Sequence, residues 1–331
     1  MAERKILVTG AGGFIGHHLV RHLKKQGHWV RAADIKYPEF ESTHADEFLK
    51  ADLRDFDACA EATAGVSHVY QLAADMGGIG YITAYLAAIA RNNTLINANM
   101  LEAARLAGVE RLLYTSSACV YARYKQDSPE LKALSEADAY PADPEPGYGW
   151  EKLYAEELCK YYTADYGLQT RIVRLHNVYG PLGTYEGGKE KAPAAISRKI
   201  AGSNDGDAIE VWGDGKQTRS FMYVDDCVKG LNRIMDSSIT EPINLGTEEI
   251  VTIDGLVDMV AGIAGKKIVK EHDKSKPQGV RGRNSDNRMI RERLGWEPGT
   301  TLREGLVPTY NWISEQLERK EQRPVTVGAA G

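Results

Sequence analysis

The sequence predicts an α/β fold: a doubly wound parallel sheet with a smaller, discontinuous C-terminal lobe. Three observations predict it. Strand-like apolar runs alternate with amphipathic helical patterns from the first residues, and a glycine cluster separates the first strand from the first helix. The alternation then loosens after RLHNVYGP, residues 174–181. Strands that recur after helices of this length need crossover connections, and crossovers make neighbouring strands parallel.

The elements follow in order. KILVTG reads as a strand, FIGHHLVRHLKKQG as a helix closed by Gly27, and WVRAAD as the second strand. A short strand near Phe48–Ala51, a helix over Asp55–Thr63 and the strand HVYQLAA come next. A long helix is expected over Ala84–Ala107, then RLLYTSS as strand, YGWEKLYAEELCKYYTADYG as helix and TRIVRL as strand. Residues 180–188 are rich in glycine and tyrosine and read as a loop, with a helix near Pro193–Gly202 beyond it. IEVWGDGKQTRSFMYVDD suggests extended segments around a GDG turn, before a helix over Val224–Met235 and the short strand PINLG. This divides the chain into a sheet domain over 1–178, rejoined by about 220–247, and a lobe over 179–219 and 248–320. Residues 321–331 read as a flexible tail.

Composition narrows the function. With 331 residues, 43% hydrophobic and 26% charged, the chain has the balance of a globular protein large enough for one large or two medium domains. A net charge of −5 gives no basic footprint for nucleic acid. No apolar run approaches the ~20 residues a membrane span needs. The first strand begins at once, with no export signal ahead of it. Cys59, Cys119, Cys159 and Cys227 lie far apart without metal-ligand spacing, so no metal is expected and free thiols in a reducing, cytoplasmic setting are.

TGAGGFIG places Gly10, Gly13 and Gly16 between a strand and a helix. Glycines there permit a tight turn and let a pyrophosphate approach the helix N-terminus, the Rossmann-type arrangement. The second strand ends in Asp34, whose carboxylate can accept from both ribose hydroxyls and would repel a 2′-phosphate, favouring NAD over NADP. Asp52 and Leu53 are placed at the end of the third strand, near an adenine.

The chemistry points to the helix that follows. Tyr148 and Lys152, four apart in YGWEKLYAEE, share a helix face. A phenol titrates near ~10. A cation at ~4 Å is worth up to ~4 kcal/mol at an effective dielectric near ~20. The pair is therefore a plausible base for a hydroxyl proton leaving as hydride departs. Ser116 and Ser117 end the strand that faces it.

The glycine loop, the SS strand end, the Tyr-x-x-x-Lys helix, RLHNVYGP and RSFMYVDD resemble the extended short-chain dehydrogenase/reductase family over nearly the whole chain. Its members mostly act on nucleotide sugars with NAD held tightly. LAADMGGIGY, SSACVY, GGKEKAPAA, WGDGKQTRSF and VRGRNSDN resemble, more narrowly, the GDP-mannose 3,5-epimerases within that family. The resemblance implies Ser117, Tyr148 and Lys152 as the hydride-transfer triad, and Phe14, Ile15 and Ala73 beside the cofactor. The dehydratases of the family carry Asp-Glu where this chain has Ala118–Cys119, so Cys119 stands where a second acid or base belongs. The resemblance makes Cys119 the base and Lys191 the acid that invert carbons beside a transient C4 ketone. It further implies Gly77, Ser117, Ala118, Cys119, Asn177, Glu190, Lys191, Lys199, Gln217 and Arg219 against GDP-mannose or a related nucleotide sugar. Arg281 and Arg283 are both candidates for its diphosphate. A 4-epimerase, a 4,6-dehydratase and a non-catalytic NAD-sensing protein are the competing readings. A homodimer is the family habit. The stretches ARYKQDSPELKALSEADAY and KEHDKSKPQG depart from the family pattern and leave sugar scope open.

Overall fold

The computed structural model describes residues 3–128, 132–276 and 279–322. The first half of the chain runs β1 (Lys5–Thr9), α1 (Phe14–Lys25), β2 (Trp29–Asp34), β3 (Glu47–Lys50), α2 (Phe56–Thr63) and β4 (His68–Gln71). It continues through α3 (Ile79–Ala84), α4 (Leu86–Leu106), β5 (Arg111–Ser117), α5 (Tyr148–Tyr166) and β6 (Gln169–Leu175). The second half is more broken. It runs β7 (Asn177–Tyr179), α6 (Ala192–Ala201), β8 (Ala208–Trp212), β9 (Thr218–Arg219), β10 (Phe221–Tyr223), α7 (Val224–Asp236) and β11 (Ile243–Leu245). The last elements are β12 (Val251–Thr252), α8 (Ile253–Ala264), β13 (Val269–Asp273), β14 (Gly282–Arg283), α9 (Arg288–Leu294) and α10 (Leu302–Glu321).

Seven parallel strands form the main sheet in the order β11-β6-β5-β4-β1-β2-β3. From β1 the chain winds one way to β2 and β3, then crosses to β4 and winds the other way. The crevice between β1 and β4 is therefore the switch point, where such sheets bind ligands at their carboxyl ends. Helices cover both faces. Leu19, Val20 and Leu23 of α1 bury with Val228, Leu231 and Ile234 of α7 on one side. Cys59 of α2, Met100 and Leu101 of α4, and Cys159 of α5 bury on the other. A fully buried Leu or Ile contributes about 1.5–3 kcal/mol, so each face anchors its helices firmly.

The structure adds to the sequence expectations at three places. The long helix expected over 84–107 is α4, and a short helix the sequence did not show, α3, precedes it across Tyr85, whose backbone leaves the helical region at φ −126, ψ 44. The third strand ends at Lys50, so Asp52 and Leu53 lie just past it. The extended segments flanking the GDG turn do not pair with each other. Instead β8 pairs with β13, while β9 pairs with β12 and β14. The lobe has its own core, in which Ile196, Ile200, Val211, Leu256, Val260 and Leu306 pack. Within 248–320, α9 turns back to the sheet: Ile290 buries in the cluster beneath β11. Residues 323–331 of the expected tail lie outside the described residues, as do parts of the two stretches that depart from the family pattern.

Buried charge ties the layers together. Glu156 of α5 accepts from Arg174 of β6 at 2.9 and 2.7 Å, and both side chains are almost fully buried. Removing one partner from such a pair strands the other. Arg174→Met should therefore lower stability by about 3–5 kcal/mol in urea unfolding, and a loss under about 1 kcal/mol would contradict this account. His176 is buried against Asn244 at 3.1 Å, and burial holds its imidazole down, to about 3 from 6.5. The folded chain keeps it neutral while the unfolded chain protonates it below about 6.5. Its contribution is thus complete above that pH and is lost as pH falls toward about 3. The urea midpoint should decline below about pH 6.5 and decline less steeply in His176→Gln.

Candidate active site

The carboxyl ends of β1, β2, β4 and β5 open into a cleft of about 690 Å³. Gly10, Gly13, Phe14, Ile15, Gly16, Asp34, Asp52, Leu53, Ala73, Tyr148 and Lys152 all line it, as do Gly77, Ser117 and Lys191. The glycines are required by geometry. Gly10 has φ +65, and a Cβ there would lie 2.9 Å from the Ala73 nitrogen; one on Gly16 would lie 2.2 Å from the Gly10 carbonyl oxygen. Thr9 Oγ1 accepts from the N–H groups of Leu72 and Ala73, tying the loop after β4 to the glycine turn. Helix α1 starts at Phe14 with no side-chain cap and no acid in its first turn. Its first N–H groups have no intrahelical acceptors, and the helix dipole favours an anion there.

Asp34 Oδ2 accepts from Gly12 N–H at 2.9 Å and Oδ1 from Lys36 N–H at 3.1 Å, so the carboxylate is fixed at the cleft wall. Burial pushes this carboxyl up. Lys36, which the sequence did not single out, lines the same wall. Asp52 pairs with Arg54, which holds its carboxyl below the usual range.

The triad sits across the cleft. Ser117 Oγ accepts from Cys119 N–H at 3.2 Å, capping the short turn Ala118–Val120. Lys152 Nζ lies 5.5 Å from the Tyr148 ring centroid, 5.0 Å from that of Tyr114 and 3.6 Å from Glu151 Oε1. The sequence argument had Lys152 easing the Tyr148 proton off. In the structure burial prevails, pushing the phenol well above 10, with Cys119 and Glu151 adding to it and a Ser117 hydrogen bond opposing. The carboxylate beside Lys152 is the missing piece, since it offsets the cation.

Cys119 is half-buried just beyond the cleft wall, beneath α5. Gly149 permits that approach: a Cβ there would lie 2.3 Å from the Cys119 carbonyl oxygen. Arg283 Nη1 donates to Cys119 Sγ at 3.6 Å, and Arg283 Nε donates to Gln126 Oε1 at 2.6 Å. Burial lowers the Lys191 amine, while negative charge on Cys119 raises it. Cys59, Cys159 and Cys227 are buried in helix packing, and burial raises all three thiols.

The remaining residues singled out in the sequence lie off the main cleft. Ala118 buries in the cluster under the turn. Asn177 donates to the Ser220 carbonyl, Glu190 accepts from Gly188 N–H, and Lys199 donates to the Glu210 carbonyl. Gln217 is buried and donates to the Trp212 carbonyl. The β9–β14 pairing sets Arg219 beside Arg283, and burial next to Arg283 and Arg281 pushes the Arg219 guanidinium down. Arg281 forks onto Asp214 at 3.0 and 3.2 Å. Gln126, Glu151 and Lys36 are the site groups that sequence reasoning missed. Only Glu151, adjacent to Lys152, stood next to a recognised motif. Away from the cleft, His17, Glu41 and His44 bring ligand atoms within 4.8 Å of one another, and Arg21 lies 3.9 Å from Glu41.

A family model for the NAD dependent epimerase/dehydratase family matches residues 6–246. The chain belongs to that family. This epimerase/dehydratase is 49% identical to a GDP-mannose 3,5-epimerase of Arabidopsis thaliana, over 99% of this chain and 86% of that protein. It is 48% identical to a GDP-mannose 3,5-epimerase 1 of Oryza sativa subsp. japonica, over the same shares. Among solved structures, a UDP-glucose 4-epimerase of Thermotoga maritima with UDP-glucose superposes with TM-score 0.83 at 26% identity, over 95% of this chain and 99% of that one. A UDP-glucose 4-epimerase of Thermus thermophilus with NAD gives 0.79 at 25%, over 93% and 98%.

Its cofactor is NAD. The glycine cradle that a Cβ would fill, the uncapped helix start and the fixed Asp34 carboxylate suit a dinucleotide. If Asp34 accepts from the ribose hydroxyls, Asp34→Asn weakens charged hydrogen bonds worth about 2 kcal/mol. NAD affinity measured by calorimetry should fall about 10–100-fold; an unchanged affinity would remove Asp34 from the cofactor site.

Proposed function

We propose that this enzyme inverts C3 and C5 of GDP-mannose to give GDP-L-galactose, with GDP-L-gulose arising when only C5 inverts. The observation that carries the reading is the thiol of Cys119, which packs at the cluster that holds Tyr148 and receives the Arg283 guanidinium at 3.6 Å, with the Lys191 amine responsive to its charge. A simple 4-epimerase needs no such second acid–base pair. The identity of nearly half to GDP-mannose 3,5-epimerases supports the substrate.

Bound NAD supplies a reversible hydride acceptor for C4. Tyr148 takes the C4 hydroxyl proton, oriented by Ser117, with Lys152 beneath its ring. The ketone so formed acidifies the C–H bonds at C3 and C5, because each carbanion is stabilised as an enolate. Cys119 removes the proton from one face, and Lys191 returns one from the other; burial has already brought that amine down toward the working range. Negative charge developing on sulfur faces Arg283 and Lys191. Tyr148 then gives its proton back as C4 is reduced, so the cofactor is not consumed. Gly77, Ala118, Asn177, Glu190, Lys199 and Gln217 are assigned to the walls of the sugar-nucleotide path. The Arg219, Arg281 and Arg283 group matches the charge of the diphosphate.

The division into a cofactor part, 1–178 with 220–247, and a substrate lobe, 179–219 with 248–320, follows from this reading. A homodimer pairing α4 and α5 is part of it as well. Trp150, Tyr154 and Tyr161, spaced along one face of α5, are each more than half exposed, as is Leu106 at the end of α4. No helix among the described residues is long and apolar enough to cross a membrane. We place the enzyme in the cytoplasm on its four free cysteines.

Proton NMR of GDP-mannose with the enzyme in heavy water should show deuterium entering C3 and C5 alongside new hexose signals. Unlabelled, unchanged sugar would sink the substrate assignment. Tyr148→Phe should give no sugar-dependent absorbance of reduced nicotinamide. Cys119→Ser should keep that absorbance while label exchange falls about 10²-fold or more. Equal loss of both in Cys119→Ser would make the thiol a shaping residue instead of a base.

A further inference from the structure

Glu151 lies between the two halves of the Tyr-x-x-x-Lys motif and is buried. Its carboxylate receives Asn93 Nδ2 at 2.8 Å, Asn97 Nδ2 at 3.3 Å and Lys152 Nζ at 3.6 Å. The direction of these hydrogen bonds is fixed from outside. The Asp75 N–H can only donate, and it donates to Asn93 Oδ1 at 2.6 Å, so the Asn93 amide nitrogen must face Glu151 and the Asp75 carbonyl. The Ala73 carbonyl can only accept, and it takes Gln71 Nε2 at 3.3 Å. Gln71 Nε2 then also donates to Asn97 Oδ1, leaving the Asn97 amide nitrogen for Glu151. Thr9 Oγ1 accepts from Leu72 and Ala73 and so donates to Gln71 Oε1 at 2.6 Å. The whole network runs one way, from the backbone of the cofactor floor into the Glu151 carboxylate. Every partner of that carboxylate is a donor, and these donors favour its ionised form against the burial that pushes the carboxyl up.

We propose that Glu151 is a positioning residue for proton transfer at Tyr148, a fixed counter-charge that holds the Lys152 side chain in place and keeps the Tyr148 proton returnable. The inference rests on the reading of Tyr148 as the proton carrier. An enzyme that oxidises and then re-reduces the same carbon needs a phenol able both to lose and to restore its proton. Lys152 favours loss, and Glu151 favours return. The groups that bear on Tyr148 are Cys119 from the turn after β5, Ser117 from β5, and Glu151 with Lys152 on α5. Those facing Glu151 are Lys152 and Tyr148 on α5, Tyr114 on β5, and the neutral Asn93 and Asn97 on α4. Glu151 is the carboxylate among them, so its removal has a definite sign: Tyr148 should ionise more readily.

The test is an ultraviolet tyrosinate titration of the NAD-loaded enzyme, taking wild type minus Tyr148→Phe to isolate the Tyr148 step. The same difference is then recorded in Glu151→Gln. The step should move to lower pH by about one unit. Glu151→Met, which also removes the charge, should move it the same way, and decides the matter if Glu151→Gln does not fold. A step that stays in place or moves up in the variant that folds overturns the proposal, whatever the loss in turnover. A flat difference between wild type and Tyr148→Phe overturns it too, because Tyr148 would then have no proton to govern. No sugar is used, so inert GDP-mannose with the shift intact would strike the substrate assignment alone.

Discussion

The Glu156–Arg174 pair is the reference point for the catalytic geometry. Glu156 also accepts from Ser116 Oγ at 2.5 Å, so one buried carboxylate holds α5, β5 and β6 in a single register. Arg174 reaches further, donating to the Glu136 carbonyl and lying 5.2 Å from the Tyr121 ring centroid. Tyr148 and Lys152 are on that helix and Ser117 ends that strand, so the distance across the triad is set by a contact behind it. A fully desolvated pair gains little over apolar packing, yet it permits only one alignment. A hydride-transfer site needs that alignment more than it needs the stability.

Two sorts of constraint then build the site outward. On the cofactor side the constraint is steric, since backbone must approach backbone at Gly10, Gly16 and Gly149. Around Cys119 it is electrostatic. Cys119, Lys191, Arg219 and Arg283 come from four different segments, and each alters the charge balance of another. Tyr148 belongs to both sides, which accounts for burial and not the neighbouring lysine dominating its proton.

The sheet and the cofactor end were legible in the sequence because their signals are local. A strand, a glycine turn, a helix and a strand-end acid all fall within residues 5–34. The Tyr148–Lys152 pair was legible for the same reason, one helical turn. The lobe was harder to read. Its strands β9, β12 and β14 are two residues long, too short for any alternation, and pair across distances the sequence does not encode locally. Gln126 holds Arg283 from 157 positions away, and nothing around it marks it as a site residue. Asn93 and Asn97 look like surface polar residues of an amphipathic helix until Glu151 is placed opposite them. The short helix α3 also escaped, because the three glycines of MGGIGYITA mask its helical pattern.

The hydrogen bond from Arg283 to the Cys119 sulfur spans 164 residues. A chain emerging from the ribosome would have every strand of the dinucleotide crevice, and the Tyr148–Lys152 helix, well before Arg283 exists. The dinucleotide crevice thus precedes the guanidinium contact to the thiol in the order of synthesis, because that contact forms only when the last segments dock. Until then, the Cys119 sulfur lies beneath α5 without its guanidinium partner, a contact the pocket acquires only late.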